Sequence, residues 1–308
     1  MSKATSKLTL GPVLFNWPVE KWRDFYFRIA DEADVDSVNV GEVVCSKRLP
    51  FFEPVIADVI ERLQGAGKEV VMSTLALIMT KREMGIVRDL AAIDDVLVEA
   101  NDVSSATLLK GKPHTIGPFI NIYNEGTLDF FHRQGATRVC LPVELPSTTM
   151  QVLAAASRKS DPELEVLAFG RLPLAVSARC YHARHHDLIK DNCQYVCAED
   201  TDGMDLDTLD GYPFLAVNGT QTMSYTCNNL LGELADMQAM GINHFRLSPQ
   251  DIDMVGVADV FRNVLKGKVS VDEGFDSLED LADGLEFSNG YFHNKEGGLL
   301  FEGGGAAE

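Results

Sequence analysis

The sequence predicts an α/β protein with a (β/α)8, TIM-barrel-like fold, whether regular or irregular. Short apolar runs alternate with stretches of helical spacing, a pattern typical of parallel strands joined by helical crossovers. Eight or nine such units fit within 308 residues. A doubly wound open sheet is the alternative, but the segment GAGKEV at Gly65 precedes a strand and has no third glycine. That segment is interpreted as a turn.

The order of the predicted elements follows from hydrophobic spacing. Strands are predicted at residues 8–14, 36–41, 69–74, 95–100, 114–122, 137–144, 164–169, 214–218 and 244–247. Helices are predicted at residues 18–31, 51–63, 81–90, 104–110, 127–134, 147–158 and 228–240.

The chain is predicted to form a single barrel-like domain over residues 1–293. A long connection, residues 171–212, interrupts the strand–helix alternation after strand seven. Connections of that length are uncommon in compact domains and usually have a function. Residues 294–308 are Gly-rich and are predicted to be a disordered tail.

The charge balance excludes some partners. There are 27 Lys and Arg against 46 Asp and Glu, a formal charge of −19. Such a surface repels phosphate backbones and anionic membranes, so no nucleic-acid partner is expected. The first twelve residues, MSKATSKLTLGP, lack the apolar core of a secretion signal. We therefore expect a cytoplasmic protein, in which cysteines serve metal or redox chemistry more often than disulfides.

Three of the six cysteines, Cys180, Cys193 and Cys197, lie in the long connection after strand seven. Their spacing is too uneven for core packing and indicates thiolate ligands on a loop. Cys45, in GEVVCSKR just after strand two, is the candidate for the fourth ligand. Strand carboxyl ends share one face of a barrel, so both segments should emerge together.

Four thiolates suit a 4Fe–4S cluster, because iron in such clusters prefers sulfur ligands. Nearby cations would offset the negative charge of the cluster and favour ionised thiols. These cations are Lys47, Arg48, Arg179 and Arg184.

Other interpretations of these residues stay open. A structural zinc ion would use the same three loop cysteines with Cys45 or a histidine. Cys140, inside the apolar run RVCLPV, is expected in the core, and Cys227 is expected to open a helix in a structural role. The loop histidines are expected to be solvated or to support the ligands, and they are His182, His185 and His186. Zincin, α/β-hydrolase and P-loop motifs are not found.

Several segments carry a family resemblance. They include GEVVCSKR, VCLPVEL, GRLPLAVSARC, DNCQYVC and VNGTQTMS, and they cover residues 10–291. With them the chain resembles the collagenase-like peptidases, peptidase family U32, and within it the branch that serves O2-independent ubiquinone biosynthesis. Peptidase-like relatives have Gly-Ala-Leu-Cys where this chain has Gly170-Arg171-Leu172-Pro173. Cys45 looks like the replacement for the missing cysteine, and the departure makes a peptidase activity doubtful.

The resemblance implies a 4Fe–4S protein with Cys45, Cys180, Cys193 and Cys197 as ligands. It also implies a heterodimer with a homologous UbiU-like cluster protein that hydroxylates a ubiquinone precursor, presented as the lipid or by its carrier. Prephenate is the implied oxygen donor.

A dicarboxylate donor needs cations, and arginine offers a bidentate fork. Arg171 and Arg179 are the first candidates for its binding, and Arg184 is the third. Two other hypotheses remain, which are a peptidase-like hydrolase with a structural zinc site and a non-catalytic subunit that shapes its partner's site.

Overall fold

The computed structural model describes residues 6–160, 162–282 and 284–301. Eight of the strands in this part of the chain are parallel and close into a barrel. The strands in chain order are β1 (Lys7–Leu10), β2 (Ser37–Val40), β3 (Glu69–Ser73), β4 (Leu97–Ala100), β5 (His114–Ile116), β6 (Ala136–Cys140), β7 (Glu163–Val176), β8 (Met204–Asp207), β9 (Pro213–Asn218), β10 (Gln221–Asn229), β11 (His244–Leu247) and β12 (Phe287–Ser288).

The barrel consists of β1 to β7 and β11. Closure occurs at β11, which pairs in parallel with β1 on one side and with β7 on the other. In the register of this closure, His244 lies opposite Lys7 and Glu165, and Phe245 opposite Leu8 and Val166. The closed parallel barrel confirms the (β/α)8 prediction.

Helices cover the outside of the barrel and bury apolar faces against it. The helices are α1 (Val19–Glu32), α2 (Leu49–Gly65), α3 (Lys81–Ala91), α4 (Val103–Leu108), α5 (Glu125–Arg133), α6 (Ser147–Ser160), α7 (Tyr181–His185), α8 (Leu234–Met240), α9 (Met254–Leu265) and α10 (Val271–Ala282). The first six match predicted helices, whereas α7, α9 and α10 were not predicted. No helix in the described ranges is long and apolar enough to cross a membrane.

The largest difference from the sequence prediction is at β7. This strand continues seven residues past the predicted end at Phe169 and then pairs antiparallel with β10. β10 pairs with β9 and β9 with β8, so a small antiparallel extension grows from the barrel. The predicted strand at residues 214–218 is therefore β9 of this extension and not a barrel strand.

The predicted helix at residues 228–240 is also wrong in its first half. Asn228 and Asn229 end β10, and the helix begins only at Leu234. Cys227 consequently lies inside a strand rather than at a helix start, and it is completely buried. The segment QTMSYTCNN contains Thr222, Tyr225 and Thr226, residue types that favour strand over helix.

An ionic network fills the barrel interior. Arg246 on β11 donates to both Glu99 on β4 and Glu165 on β7. Arg138 Nε lies 3.2 Å from Glu165 Oε2, and the Thr9 hydroxyl donates to the same oxygen at 3.3 Å. Burial alone would raise the pKa of Glu165, but the charges of Arg246 and Arg138 lower it below its usual value. The network thus stays ionised inside the fold.

The carboxyl-terminal segment folds back onto the domain as far as it is described. Asn289 donates its backbone N–H to Leu299 O at 2.9 Å and accepts from Phe301 N at 2.6 Å. Residues 302–308, about half of the predicted tail, lie outside the described residues. The division into one domain and a tail stays a prediction.

We expect Arg246→Met to destabilise the fold by about 3–5 kcal/mol, because Glu99 and Glu165 would lose their shared buried counter-ion. The control is Arg133→Met, which removes an exposed ion pair to Asp129 one helical turn away. Its cost should be about 0.5 kcal/mol or less. Urea unfolding of the three proteins measures both values, and equal losses would contradict a stabilising role for the network.

Candidate metal centre

Four of the cysteines line a single pocket. Cys45 follows β2, and Cys180, Cys193 and Cys197 come from the long connection after β7. The two segments meet on the carboxyl face of the barrel, as the sequence predicts. The complete lining is Cys45, Lys47, Arg48, Cys180, Lys190, Cys193, Tyr195, Val196, Cys197 and Gly219.

Cys45 is held in place by a buried carboxylate. Glu42 is 4% exposed, and its Oε1 accepts the backbone N–H groups of Val44 and Cys45 at 2.7 and 2.8 Å. These bonds fold the residues after β2 into a compact turn. Burial raises the pKa of the Cys45 thiol, and the positive charge of Arg48 opposes that rise.

Cys180 begins the short helix α7. Its Sγ accepts the backbone N–H of Ala183 at 3.4 Å, in the way that an N-cap side chain does. Burial raises the pKa of the Cys180 thiol, the Ala183 N–H opposes the rise, and Cys197 and Cys193 add to it. A metal ion would remove this mutual repulsion by binding the thiolates.

Cys193 and Cys197 are joined by an unusual turn. Gln194 and Tyr195 have φ angles of +49° and +58°, which non-glycine residues adopt at a cost of about 1–2 kcal/mol each. The Tyr195 ring packs edge-on against Phe51 at 4.8 Å, which helps to hold the turn. Backbone strain of this kind is often kept where a site requires it.

Asn16 reaches the pocket from the connection after β1. Its Nδ2 donates to Cys197 Sγ at 3.4 Å. Next to it, Trp17 Nε1 donates to Thr201 O at 2.7 Å and fastens the exit of the cysteine loop. Sequence reasoning missed Asn16 as a site residue, although it lies in LGPVLFNWP, a segment that carries the family resemblance.

A buried cation forms one wall of the pocket. Arg48 is 1% exposed, and it donates to Leu14 O at 2.7 Å and to Asn218 Oδ1 at 2.9 Å. Its Nε has no hydrogen-bond partner among the described residues. Burial would lower the pKa of Arg48, but Glu42, Cys197 and Cys45 together raise it.

The donor chemistry of the pocket fits a thiolate-ligated metal group. Four thiols converge from two segments, and Arg48 and Lys47 supply positive charge against them. Both a 4Fe–4S cluster and a tetrahedral zinc ion accept four cysteine ligands. The chain's two other cysteines lie elsewhere and are fully buried, namely Cys140, as predicted for a core residue, and Cys227.

The predicted carboxylate-binding arginines have different environments. Arg179 and Arg184 line an open cavity of about 490 Å³ beside Cys180, together with Lys190. Arg171 is 5% exposed, and its guanidinium already contacts Asp202 and the carbonyl oxygen of Tyr225. Burial, opposed by Arg171, raises the pKa of Asp202.

Fold and site together define a (β/α)8 barrel with a four-cysteine pocket at the carboxyl face. The model of peptidase family U32 matches residues 21–300, and the chain belongs to that family. Among solved structures, the chain is similar to the spore coat polysaccharide biosynthesis protein spsE from Bacillus subtilis, at 10% identity over 98% of this chain and 76% of that one (TM-score 0.43). It is also similar to the tryptophan synthase complex from Pyrococcus furiosus, at 12% identity over 89% and 100% of the two chains (TM-score 0.40). Neither likeness bears on function.

Gly219, in the turn between β9 and β10, makes room for Arg48. It has a φ of +63°, and a Cβ added there would lie 2.8 Å from Arg48 Nη2. Gly211 is a matched control, since its φ is +83° and no atom lies within 4 Å of such a Cβ.

We expect Gly211→Ala to cost about 1–2 kcal/mol for the left-handed backbone alone. Gly219→Ala should cost about 1–3 kcal/mol more, because Arg48 must move from its hydrogen bonds. Denaturant unfolding of both variants gives the difference in their free energies of unfolding. Equal losses of stability would show that Arg48 can move away from the new Cβ at no cost.

Proposed function

We propose that this chain is the UbiV-like, 4Fe–4S subunit of an O2-independent hydroxylase in ubiquinone biosynthesis. It works as a heterodimer with a homologous UbiU-like cluster protein in the cytoplasm. The substrate is the ring of a ubiquinone precursor, presented as the lipid or by its carrier. The observation that carries the proposal is the convergence of Cys45, Cys180, Cys193 and Cys197 on one pocket.

The pocket residues would hold and tune the cluster. The four cysteines supply the thiolates, and a bound 4Fe–4S cluster supplies one-electron transfer at this face of the barrel. Asn16 and Ala183 donate hydrogen bonds to the sulfurs of Cys197 and Cys180. Hydrogen bonds to ligand sulfur and a nearby cation such as Arg48 favour the ionised thiol, and both influence the reduction potential.

The oxygen of an organic donor such as prephenate has the oxidation level of water. Transfer of that hydroxyl to the ring would break the donor's C–O bond and a ring C–H bond and form the ring C–O bond. The donor would leave as its elimination product, having lost a proton or CO2 together with hydroxide, and the ring proton would go to solvent. The two electrons released require an external electron carrier, such as a flavin or iron–sulfur protein. The cavity beside Cys180 suits the carboxylates of such a donor, because Arg179, Arg184 and Lys190 line it. Arg171 is less suited, since its guanidinium is already occupied.

Exposed apolar side chains support an obligate partner. Leu209, Tyr212 and Phe214 on the β8–β9 hairpin are each more than half exposed. Large apolar side chains that are exposed close together in one hairpin are a feature of interaction sites. The hairpin follows the cysteine loop directly, so a docked subunit would lie close to the cluster.

A peptidase-like hydrolase with a structural zinc site is the second candidate. The family's name favours it, and a pocket of four cysteines suits tetrahedral zinc. The two candidates differ in the metal content of the anaerobically purified chain: iron with acid-labile sulfide for the cluster, zinc without sulfide for the hydrolase.

We expect Cys45→Ala to lose as much iron and sulfide as Cys180→Ala, although the two residues are far apart in the sequence. Each substitution removes one of the ligands that line the pocket. Cys140→Ala is the control, which should keep its iron and lose about 1 kcal/mol or somewhat more of stability from the core. Full iron in Cys45→Ala would remove Cys45 from the ligand set.

We expect the double variant Arg179→Gln/Arg184→Gln to raise the KM for the oxygen donor by about tenfold or more, since it loses charge-assisted hydrogen bonds. Iron content should stay unchanged. Arg23→Gln, on the surface of α1, is the matched control. The assay uses the heterodimer under anoxia, and the isolated chain should not turn over. If iron falls in step with activity, these arginines serve the cluster and the donor binds elsewhere.

A further inference from the structure

Three further metal-ligating side chains meet on the other side of the cysteine loop. His182 and His186 are one helical turn apart, on and just after α7, so they share a face. Their rings are stacked, with centroids 5.7 Å apart and planes at 7°. Asp200, three residues after Cys197, joins them, and one ligand atom from each residue lies within 4.8 Å of the other two.

His182 is the unusual member of this group. Its side chain is completely buried, and the groups that face its ring are the Asp200 carboxylate and the backbone of Val217. Its Nε2 lies 2.8 Å from Asp200 Oδ2, but neither ring nitrogen makes a well-aligned hydrogen bond with the described residues. Buried polar nitrogens in folded proteins nearly always have a well-placed partner. A cation bound by the imidazole and the carboxylate together would replace this poorly aligned contact with coordinate bonds.

We propose that His182, His186 and Asp200 form a second metal site, selective for a divalent first-row cation such as Zn²⁺. Two imidazoles and one carboxylate are a set of donors that zinc prefers, and they differ from the thiols of the cysteine pocket. Tetrahedral zinc–ligand bonds of about 2.0–2.2 Å place the ligand atoms about 3.3 Å apart. His182 Nε2 and Asp200 Oδ2, now 2.8 Å apart, would therefore separate slightly, while any ligand atom further away, up to 4.8 Å, would move closer. His186 and Asp200 are only partly buried, so their side chains can make that adjustment.

The position of this site gives it a structural consequence. His182 lies two residues after Cys180 and Asp200 three residues after Cys197, so one ion joins the two ends of the segment that carries three thiols. The ion would fasten α7 to the chain that leaves the loop. Its partly exposed side leaves a coordination position for water or for a ligand.

The test is a calorimetric titration of Zn²⁺ alone into the full-length chain, purified anaerobically with its cysteine site loaded. We expect a single binding event in the wild type. His186→Ala and Asp200→Asn should each weaken it by about a hundredfold or more, because loss of a supporting contact alone costs about 10–100-fold. Both residues are at the surface edge of the site, so these variants avoid the buried His182.

His185→Ala is the matched control, because His185 is on the same helix but outside the group of three. Its affinity for Zn²⁺ should equal that of the wild type. The proposal is overturned if the wild type binds no zinc, if His186→Ala and Asp200→Asn bind it as tightly as the wild type, or if His185→Ala weakens it equally. Iron and sulfide measured in the same samples report the cysteine site separately, so either site can fail alone.

Discussion

The structure depends on one strand, β7, which is shared by the barrel and by the antiparallel extension. The first half of β7 pairs with β6 and β11 and closes the barrel, while its second half pairs with β10 outside it. The change of partner occurs at Gly170, which has a φ of +116°. A Cβ there would meet Ser248 at 2.7 Å, so only glycine allows β11 to approach so closely. The second half of β7 leaves the barrel at its carboxyl face. The cysteine loop, which follows β7, therefore begins on the same face as the segment that carries Cys45.

Arg171 stabilises the irregular pairing that follows. The register of β7 with β10 shifts between Met223 and Cys227, which leaves the carbonyl oxygens of Ser224 and Tyr225 without strand partners in β7. The Arg171 guanidinium donates to both, and it also contacts Asp202 at the end of the cysteine loop. An arginine side chain has five N–H donors, so it can bind the unpaired carbonyl oxygens of a bulge and a carboxylate of a neighbouring loop at the same time. This explains why an arginine is buried at a position that the sequence alone assigns to ligand binding.

The sequence predicts well those strands and site residues whose place in the fold follows from residue type and from position along the chain. Apolar runs such as VLVEA identify barrel strands, since parallel strands are buried on both faces. The meeting of Cys45 with the three loop cysteines could be predicted, because residues at the carboxyl ends of parallel strands share a face of the barrel. Of the extension, only β9 could be predicted as a strand. The strand β8 could not, because it is largely exposed and carries polar residues such as Asp205 and Asp207. Asn16 and Gly219 were missed because their roles depend on distances across the fold.

Two buried arginines show how the same residue serves a core and a site. Arg246 contacts two carboxylates directly, Glu99 and Glu165, so its charge is cancelled within the barrel. Arg48 donates to neutral oxygens of Leu14 and Asn218 instead. Its nearest carboxylate is Glu42 at 3.9 Å, which is too long for a direct hydrogen bond.

Glu42 therefore offsets the charge of Arg48 without a direct hydrogen bond, and that charge also acts on the thiols that line the same pocket. A buried cation is costly without compensating negative charge. Thiolates bound to a metal would provide that charge, and their protonated forms would not. The buried charge of Arg48 and a thiolate-bound metal group in this pocket would thus stabilise each other, because opposite charges lower each other's cost where most of the solvent is excluded.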